Sequence, residues 1–438
     1  MLKMSNLKEL VDKNLKEVKA DCEITLSSYF HGTTRFAESQ IHQNMDVLEN
    51  DCIVRIVKDK KIGISGTTFG DEQKIKNCIK RAEEIAKFSY EDKDFVKLPD
   101  EKGIEYDEEI KEVSPEERAE AVSKIFNVAR KYDLRCAGVI HTISGRKVIA
   151  NTLGLKSAGA EAYVTGTITM MTENSSGYAI FGAKNLNEID FEKEAEISAQ
   201  KAMLSSNPKD FKPGKYVVLL EEPAVAEILV FLSHLGFSAR DFEEGRSFMC
   251  DKIGKKITGD NVTIYDDVNH PLQIGLKFDR EGVPKQKVTL IENGVAKSVV
   301  YDSYYAYKSG KKPTGHCAWQ RYPYPMNLVM KGGDTKREDL IKKIDEGILI
   351  TRTWYCRVVD PDKTLITGMT RDGTFYIKNG EIKYGIKNMR FTINILETFK
   401  NIIAVSREQK AIVSEYGGVY VVPALLIKDF NFESVTHY

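Results

Sequence analysis

The chain has 438 residues with 64 Lys+Arg against 64 Asp+Glu, so no global field draws it to nucleic acid or to an anionic membrane surface. Its length gives material for two or three domains, and no apolar run is long enough to cross a bilayer. Seven cysteines, an odd number without a Cys-x-x-Cys pair, favour reduced thiols in a cytoplasm over a disulfide framework or a zinc ribbon.

In chain order, Leu7, Leu10, Val11, Leu15 and Val18 share one face of a first helix. From Asp21 the apolar period shortens towards two, and residues 23–29, 34–42, 45–58 and 61–69 read as strands, with Asp59-Lys60-Lys61 at a hairpin tip. A helix over 71–88 turns Ile75, Ile79, Ala82, Ile85 and Ala86 inward, and the acidic stretch 89–113 runs over the surface. Ser114-Pro115-Glu116-Glu117 is a helix opening with its N-cap, its first-turn proline and a Glu three residues after the cap. Strands over 136–144, 147–151, 157–172 and 177–183 follow, then a helix over 191–204. Helix, about four strands and helix, twice over, make residues 1–205 an α/β domain with possible internal duplication.

Asn207-Pro208 and Lys212-Pro213-Gly214 mark a boundary, and residues 206–438 form the second domain. One helix, over 223–240, stands there nearly alone among strands at 262–265, 275–278, 287–292, 295–301, 348–359, 365–378, 381–386, 388–396 and 419–426. Asn293-Gly294 and Asn379-Gly380 supply hairpin turns, and one short helix interrupts at 336–346. The fold class is therefore α+β, two domains, the second β-rich with a large antiparallel sheet or barrel.

The helix after Pro223 has acidic residues and a histidine but not the spacing of a metallopeptidase. Glu227, His234 and Asp241 stand seven apart, roughly 10 Å between neighbours, too far to share one ion. On residues 34–43, strict alternation puts Thr34, Phe36, Glu38, Gln40 and His42 on one face and Arg35, Ala37, Ser39, Ile41 and Gln43 on the other, polar enough to grip a peptide or simply to face water. Asp279, Arg280 and Glu281 read as turn chemistry, and residues 367–374 as hairpin geometry. His234, His316, Cys317 and Cys356 are a fallback zinc set with no diagnostic spacing. His31, His141 and His270 read as structural or exposed.

Thr34-Arg35-Phe36-Ala37 with Ile41-His42-Gln43, the Pro223 helix, Glu281-Gly282-Val283-Pro284, Glu292-Asn293-Gly294, Pro313-Thr314-Gly315-His316 and Thr367-Gly368 with Arg371-Asp372-Gly373 occur in an order that resembles the TldD/PmbA family. Members are viewed as peptidases that cut extended or unfolded peptides inside a closed dimer, and were first called modulators of DNA gyrase. The resemblance implies an α/β N-terminal and a β-rich C-terminal domain. In the TldD branch a His-Glu-x-x-x-His helix and a late Cys hold zinc; here the matching helix reads Ile228-Leu229-Val230-Phe231-Leu232-Ser233, and residues 414–420 lack a cysteine. That is similar to the PmbA (TldE) branch. It implies a non-catalytic subunit without a cofactor of its own, whose partner is a zinc-bearing TldD-type subunit in a heterodimer, or a second copy in a homodimer. Arg35, Glu38, Gln40, His42, Gln43 and His316 are then candidates for peptide binding. A stand-alone hydrolase using the fallback set, and a modulator of a nucleic-acid enzyme using Lys308, Lys311, Lys312 and Arg321, are the alternatives.

Overall fold

The computed structural model describes residues 1–414 and 416–435; Glu415, part of the late stretch searched for a cysteine, lies outside them. The first half runs α1 (Met4–Glu17), β1 (Asp21–Ala37), β2 (Gln40–Lys58), β3 (Lys61–Thr68), α2 (Glu72–Phe88), α3 (Pro115–Lys131), β4 (Arg135–Asn151), β5 (Lys156–Met171), β6 (Ser176–Ala183) and α4 (Phe191–Leu204). The strands make one antiparallel sheet in the order β3-β2-β1-β4-β5-β6. The topology repeats, helix–three strands–helix, with β1 and β4 meeting at the centre. Each repeat has three strands and not four, because residues 21–37 and 135–151 are each one continuous strand.

All four helices cover one face of this sheet. Leu7 and Val11 of α1 and Ile75, Ile79 and Ala82 of α2 pack on Ile24, Leu26, Val54 and Ile56. Val122 and Ile125 of α3 and Ala195 and Ala199 of α4 pack on Phe36, Ile140 and Ile168. The capping box at Ser114 forms as its sequence demands: Ser114 Oγ accepts from the Glu117 amide, and the Glu117 carboxylate from the Ser114 amide. Ile85, expected inward, is exposed at the edge of the α2 stripe.

Arg118 belongs to the apolar stripe of α3 and is completely buried. Its guanidinium donates to Thr34 Oγ1 (3.0 Å), Val113 O (2.8 Å), Asn44 Oδ1 (3.1 Å), Met45 O (3.3 Å) and Asp46 Oδ1 (2.6 Å). It thereby fixes the β1–β2 hairpin to α3. Gly32 is what admits it: a Cβ there would lie 2.2 Å from Arg118 Nη1 and 2.4 Å from Thr142 Oγ1. Gly32→Ala is expected to lower stability by about 1–3 kcal/mol, read as a lower urea midpoint; an unchanged midpoint would show that the guanidinium can move aside.

The second half runs β7 (Gly214–Leu220), α5 (Glu222–Gly236), α6 (Ala239–Glu243), β8 (Ile264–Asp266), β9 (Val288–Glu292), β10 (Val295–Ala296), α7 (Ser303–Lys308), β11 (Cys317–Trp319), β12 (Tyr322–Pro323), β13 (Asn327–Met330), α8 (Arg337–Leu340), β14 (Glu346–Asp360), β15 (Leu365–Lys378), β16 (Glu381–Gly385), β17 (Met389–Asn394), α9 (Ile395–Lys400), β18 (Ile402–Val413) and β19 (Val419–Val435). Eleven of these strands form one sheet. It is mixed and not purely antiparallel, since β13 runs parallel to β19 and β7 parallel to β14. Pairings β7–β14–β15–β17–β19–β7 close five strands into a ring. Asn293-Gly294 and Asn379-Gly380 sit at hairpin turns with both residues at positive φ, as their composition requires. Residues 275–278 form no strand, and 295–301 shorten to two strand residues. Among the described residues no helix is long and apolar enough to cross a membrane.

The two sheets are joined through a buried ionic cluster. Arg55 of β2 bonds Glu23 of β1 (2.9 Å) and reaches Glu281 (3.5 Å) in the turn 278–284. Asp279 holds that turn by accepting from the amides of Glu281, Val283 and Cys317. Ser157 Oγ of β5 donates to Gly282 O at 2.6 Å. The turn expected from composition is thus also the seam of the molecule.

Candidate functional site

β7 delivers the chain to α5 through Glu221 and Glu222, both buried. Arg337 of α8 bonds Glu221 at 2.8 Å and Glu222 at 2.7 Å, and Lys201 of α4 also bonds Glu221. Burial pushes the Glu221 carboxyl up, but the two cations outweigh it and hold it at about 2. This anchors the start of α5, where Pro223 needs no N–H partner. Most of the helix then runs through the second-half core, with Val225, Ile228, Leu229 and Leu232 fully buried.

One stripe of α5 borders a cleft at the edge of that core. Pro223, Ala226, Glu227 and Val230, at helical spacing, line a cleft of about 440 Å³. The opposite wall is the helix-free face of the first sheet, where the register aligns Gln43, Arg35, Val139, Thr167 and Ile180 in one cross-strand row. His141 and Thr165 form the next row. The third side is β14 from Arg352 to Arg357, with Ile412, Val413, Ser414 and Tyr416. His141 Nδ1 lies 3.1 Å from Thr33 Oγ1, and burial together with Arg35 lowers its pKa, so the neutral ring is favoured there.

The β14 side is irregular. The ladder to β15 skips between Trp354 and Arg357, and Tyr355 takes φ +55° and is 60% exposed. This bulge turns Tyr355 and Arg357 outward, while Cys356 points into the core against Gly368 and Phe391. Burial pushes the Cys356 thiol up to about 12. A second bulge at Asp372-Gly373 on β15 replaces the hairpin expected there; Asp372 accepts from Arg352 Nε (2.6 Å) and from Ser176.

The residues expected to bind peptide are divided. Arg35 and Gln43 lie in the row that faces the cleft. Glu38 does not sit on a strand face: Glu38 and Ser39, both at positive φ, are a two-residue hairpin turn, and Glu38 reaches Arg135 at 3.4 Å. Gln40 starts β2 opposite Ala37, and His42 is the extra residue of a bulge, its Nε2 3.0 Å from Ala37 O. The single strand expected over 34–42 is therefore a turn with a bulge beside it. Thr34 and Phe36 face the helices and Arg35 the other side, as the alternation of β1 sets, while the bulge brings Ile41 opposite Phe36. His316 is remote from these, buried between Asp266 (Nε2–Oδ1 3.0 Å) and Thr314 (Nδ1–Oγ1 2.9 Å).

The fallback zinc set is not brought together. His234 Nδ1 contacts Val230 O and the Tyr324 hydroxyl, Cys317 Sγ donates to Trp319 O, and Cys356 is in the core. Burial, with Glu281 and Asp279 nearby, raises the Cys317 thiol well above its usual range. Among the described residues no three His, Cys, Asp or Glu side chains converge as metal ligands. On α5 itself the cleft stripe offers one carboxylate, Glu227, between apolar neighbours, a donor set that does not fit a catalytic zinc. His141, Tyr178, Arg352, Trp354 and Arg357 line the cleft without belonging to any sequence motif.

These features define a two-sheet α+β protein with a cleft between a helix-backed antiparallel sheet and a mixed, ring-closed one. Residues 213–434 match the PmbA/TldA metallopeptidase C-terminal domain and residues 22–86 match PmbA/TldA metallopeptidase domain 1, so the chain belongs to the PmbA/TldD metallopeptidase family. An uncharacterized protein of Methanocaldococcus jannaschii is 27% identical over 365 residues, 81% of this chain and 83% of that one. A metalloprotease of the same organism is 24% identical over 92% of this chain and 93% of its own. The metalloprotease PmbA of Escherichia coli O157:H7 is 24% identical over 68% of this chain and 66% of its own. The fold is that of the crystal structure of TldE from Thermococcus kodakarensis, with a TM-score of 0.86 and 23% identity over 97% of this chain and 99% of that one.

Proposed function

We propose that the chain is a PmbA/TldE-like, non-catalytic subunit that holds extended or unfolded peptides for a zinc-bearing TldD-type partner in the cytoplasm. The observation that carries this reading is the face α5 presents to the cleft: Pro223, Ala226, Glu227 and Val230, apolar but for one carboxylate. The helix thus supplies a wall for a substrate and not a ligand set.

The free edge of β2 supports a substrate-holding role. β3 ends opposite Asp51, so residues 40–49 pair with β1 alone among the described residues and leave their other main-chain groups open. An extended peptide can add to such a proline-free edge by main-chain hydrogen bonds. Its inner neighbour is β1, whose Arg35 faces the cleft. The basic segment named for a nucleic-acid role is largely engaged instead: Arg321 pairs with Asp92, Lys308 approaches Asp94 at 4.0 Å and Lys311 bonds the Tyr301 hydroxyl.

Co-expression with a TldD-type chain tests the proposal. The expected result is a heteromer by size-exclusion chromatography that cleaves an unfolded peptide, with no turnover by this chain alone. Metal-dependent turnover by this chain alone would overturn it.

A further inference from the structure

The rim of the cleft is a ladder of guanidiniums and aromatic rings. Arg352 lies over the Tyr178 ring at 4.1 Å and over Trp354 at 5.1 Å, Arg371 covers Trp354 at 4.8 Å, and Arg357 covers Tyr355 at 4.4 Å. Stacking fixes the plane of a guanidinium while leaving its N–H edge open, the edge that grips a carboxylate in bidentate fashion. Arg352 is committed to Asp372. Arg371 lies 3.7 Å from the same carboxylate through Nε and is exposed, and Arg357 donates to the carbonyl of its own neighbour Cys356 and bonds the Tyr416 hydroxyl. Arg35 adds a further cation from the opposite wall.

Of the charged residues, Arg352, Arg357 and Glu227 line the cleft, Arg371 stacks beside it on Trp354 next to Asp372, and Arg35 stands in the cross-strand row of Val139. The excess is positive, although the chain as a whole is neutral. The floor between them is apolar, made by Val139, Ile180, Pro223 and Val230.

We propose that the cleft selects peptide segments bearing a carboxylate, gripped by Arg357 and Arg371 while a neighbouring apolar side chain enters the floor. The inference rests on the peptide-holding reading above and names the chemistry of the peptide. The carboxylate comes either from an acidic side chain or from a chain terminus.

The test is fluorescence anisotropy on the full chain with labelled unfolded peptides. Each peptide is made with Asp/Glu or with Asn/Gln, and each with a free or an amidated C-terminus. The expected result is roughly 5- to 10-fold tighter binding of the carboxylate-bearing forms, weakened by salt. A gain that follows the side chains identifies an acidic segment, and a gain that follows the free terminus identifies the chain end. In Arg357→Gln/Arg371→Gln, both exposed positions, the preference disappears while the neutral peptide still binds; thermal unfolding controls for the fold. Equal binding of acidic and neutral peptides by the unaltered chain overturns this inference and leaves peptide holding intact. Failure to bind any peptide overturns the peptide-holding reading itself.

Discussion

Arg118→Met is expected to cost about 3–5 kcal/mol, the loss seen when one partner of a buried ion pair is removed. The arginine is fully buried and makes five hydrogen bonds to α3's lead-in and to the β1–β2 hairpin. Methionine fills the volume but leaves Asp46, Asn44, Thr34 and two carbonyls without their donor. The damage should be local as well as global: amides of residues 40–50 should exchange with solvent faster than those of β4 and β5. Because this hairpin carries Arg35 and the free edge, peptide binding should weaken with it. A urea midpoint and exchange pattern like those of the unaltered chain would show that the arginine is replaceable.

The second large effect is a pH dependence set at the seam between the sheets. Asp302, fully buried at the N-cap of α7, has its carboxyl pushed up to about 7 by burial and then by Glu281. Burial likewise raises Asp279 and Glu23. The unfolded chain releases the Asp302 proton near the ordinary value of 3.8, while the folded chain keeps it to about 7. Between these limits the folded state binds the extra proton, so stability is greatest at the acidic end and is lost as pH rises to about 7. The size is on the order of a few kcal/mol. Asp302→Asn retains the cap, since its amide oxygen can still accept from Tyr305, and removes the titration. The variant should be markedly more stable than the unaltered chain at pH 8, with the difference shrinking towards pH 4.5. Urea midpoints across that range check it, and a pH-independent difference would contradict the assignment to Asp302.

Local signals were legible wherever a single element carried them. The capping box at Ser114, the Asn-Gly turns and the apolar stripe of α4 specify their elements without help from the rest of the chain. The tip of the first hairpin was not legible, because Glu38-Ser39 takes positive φ without a glycine and the His42 bulge breaks the period beside it. The short helices α7 and α9 offer one to two turns and no stripe to detect. β18 was missed altogether; two register breaks against β19 interrupt its alternation.

The site was less legible than the fold. Its walls come from β4–β6, α5, β14 and the end of β18, so contact between them is decided by packing over hundreds of residues. Arg118 did leave a signal. It stands at helical spacing with Ala121, Val122 and Ile125, inside an apolar stripe where a charged residue needs a partner. The arginines of β14 left none, since Arg352, Arg357 and their aromatic neighbours read as an ordinary strand until the bulge at Tyr355 aims them.

The most direct test of the central claim is the zinc content of the chain, purified untagged and without chelator, alone and in complex with a TldD-type subunit. The expected result is no stoichiometric zinc on the chain alone and about one zinc per heterodimer, carried by the partner. About one zinc on the chain by itself would contradict it and assign the metal to residues of this chain.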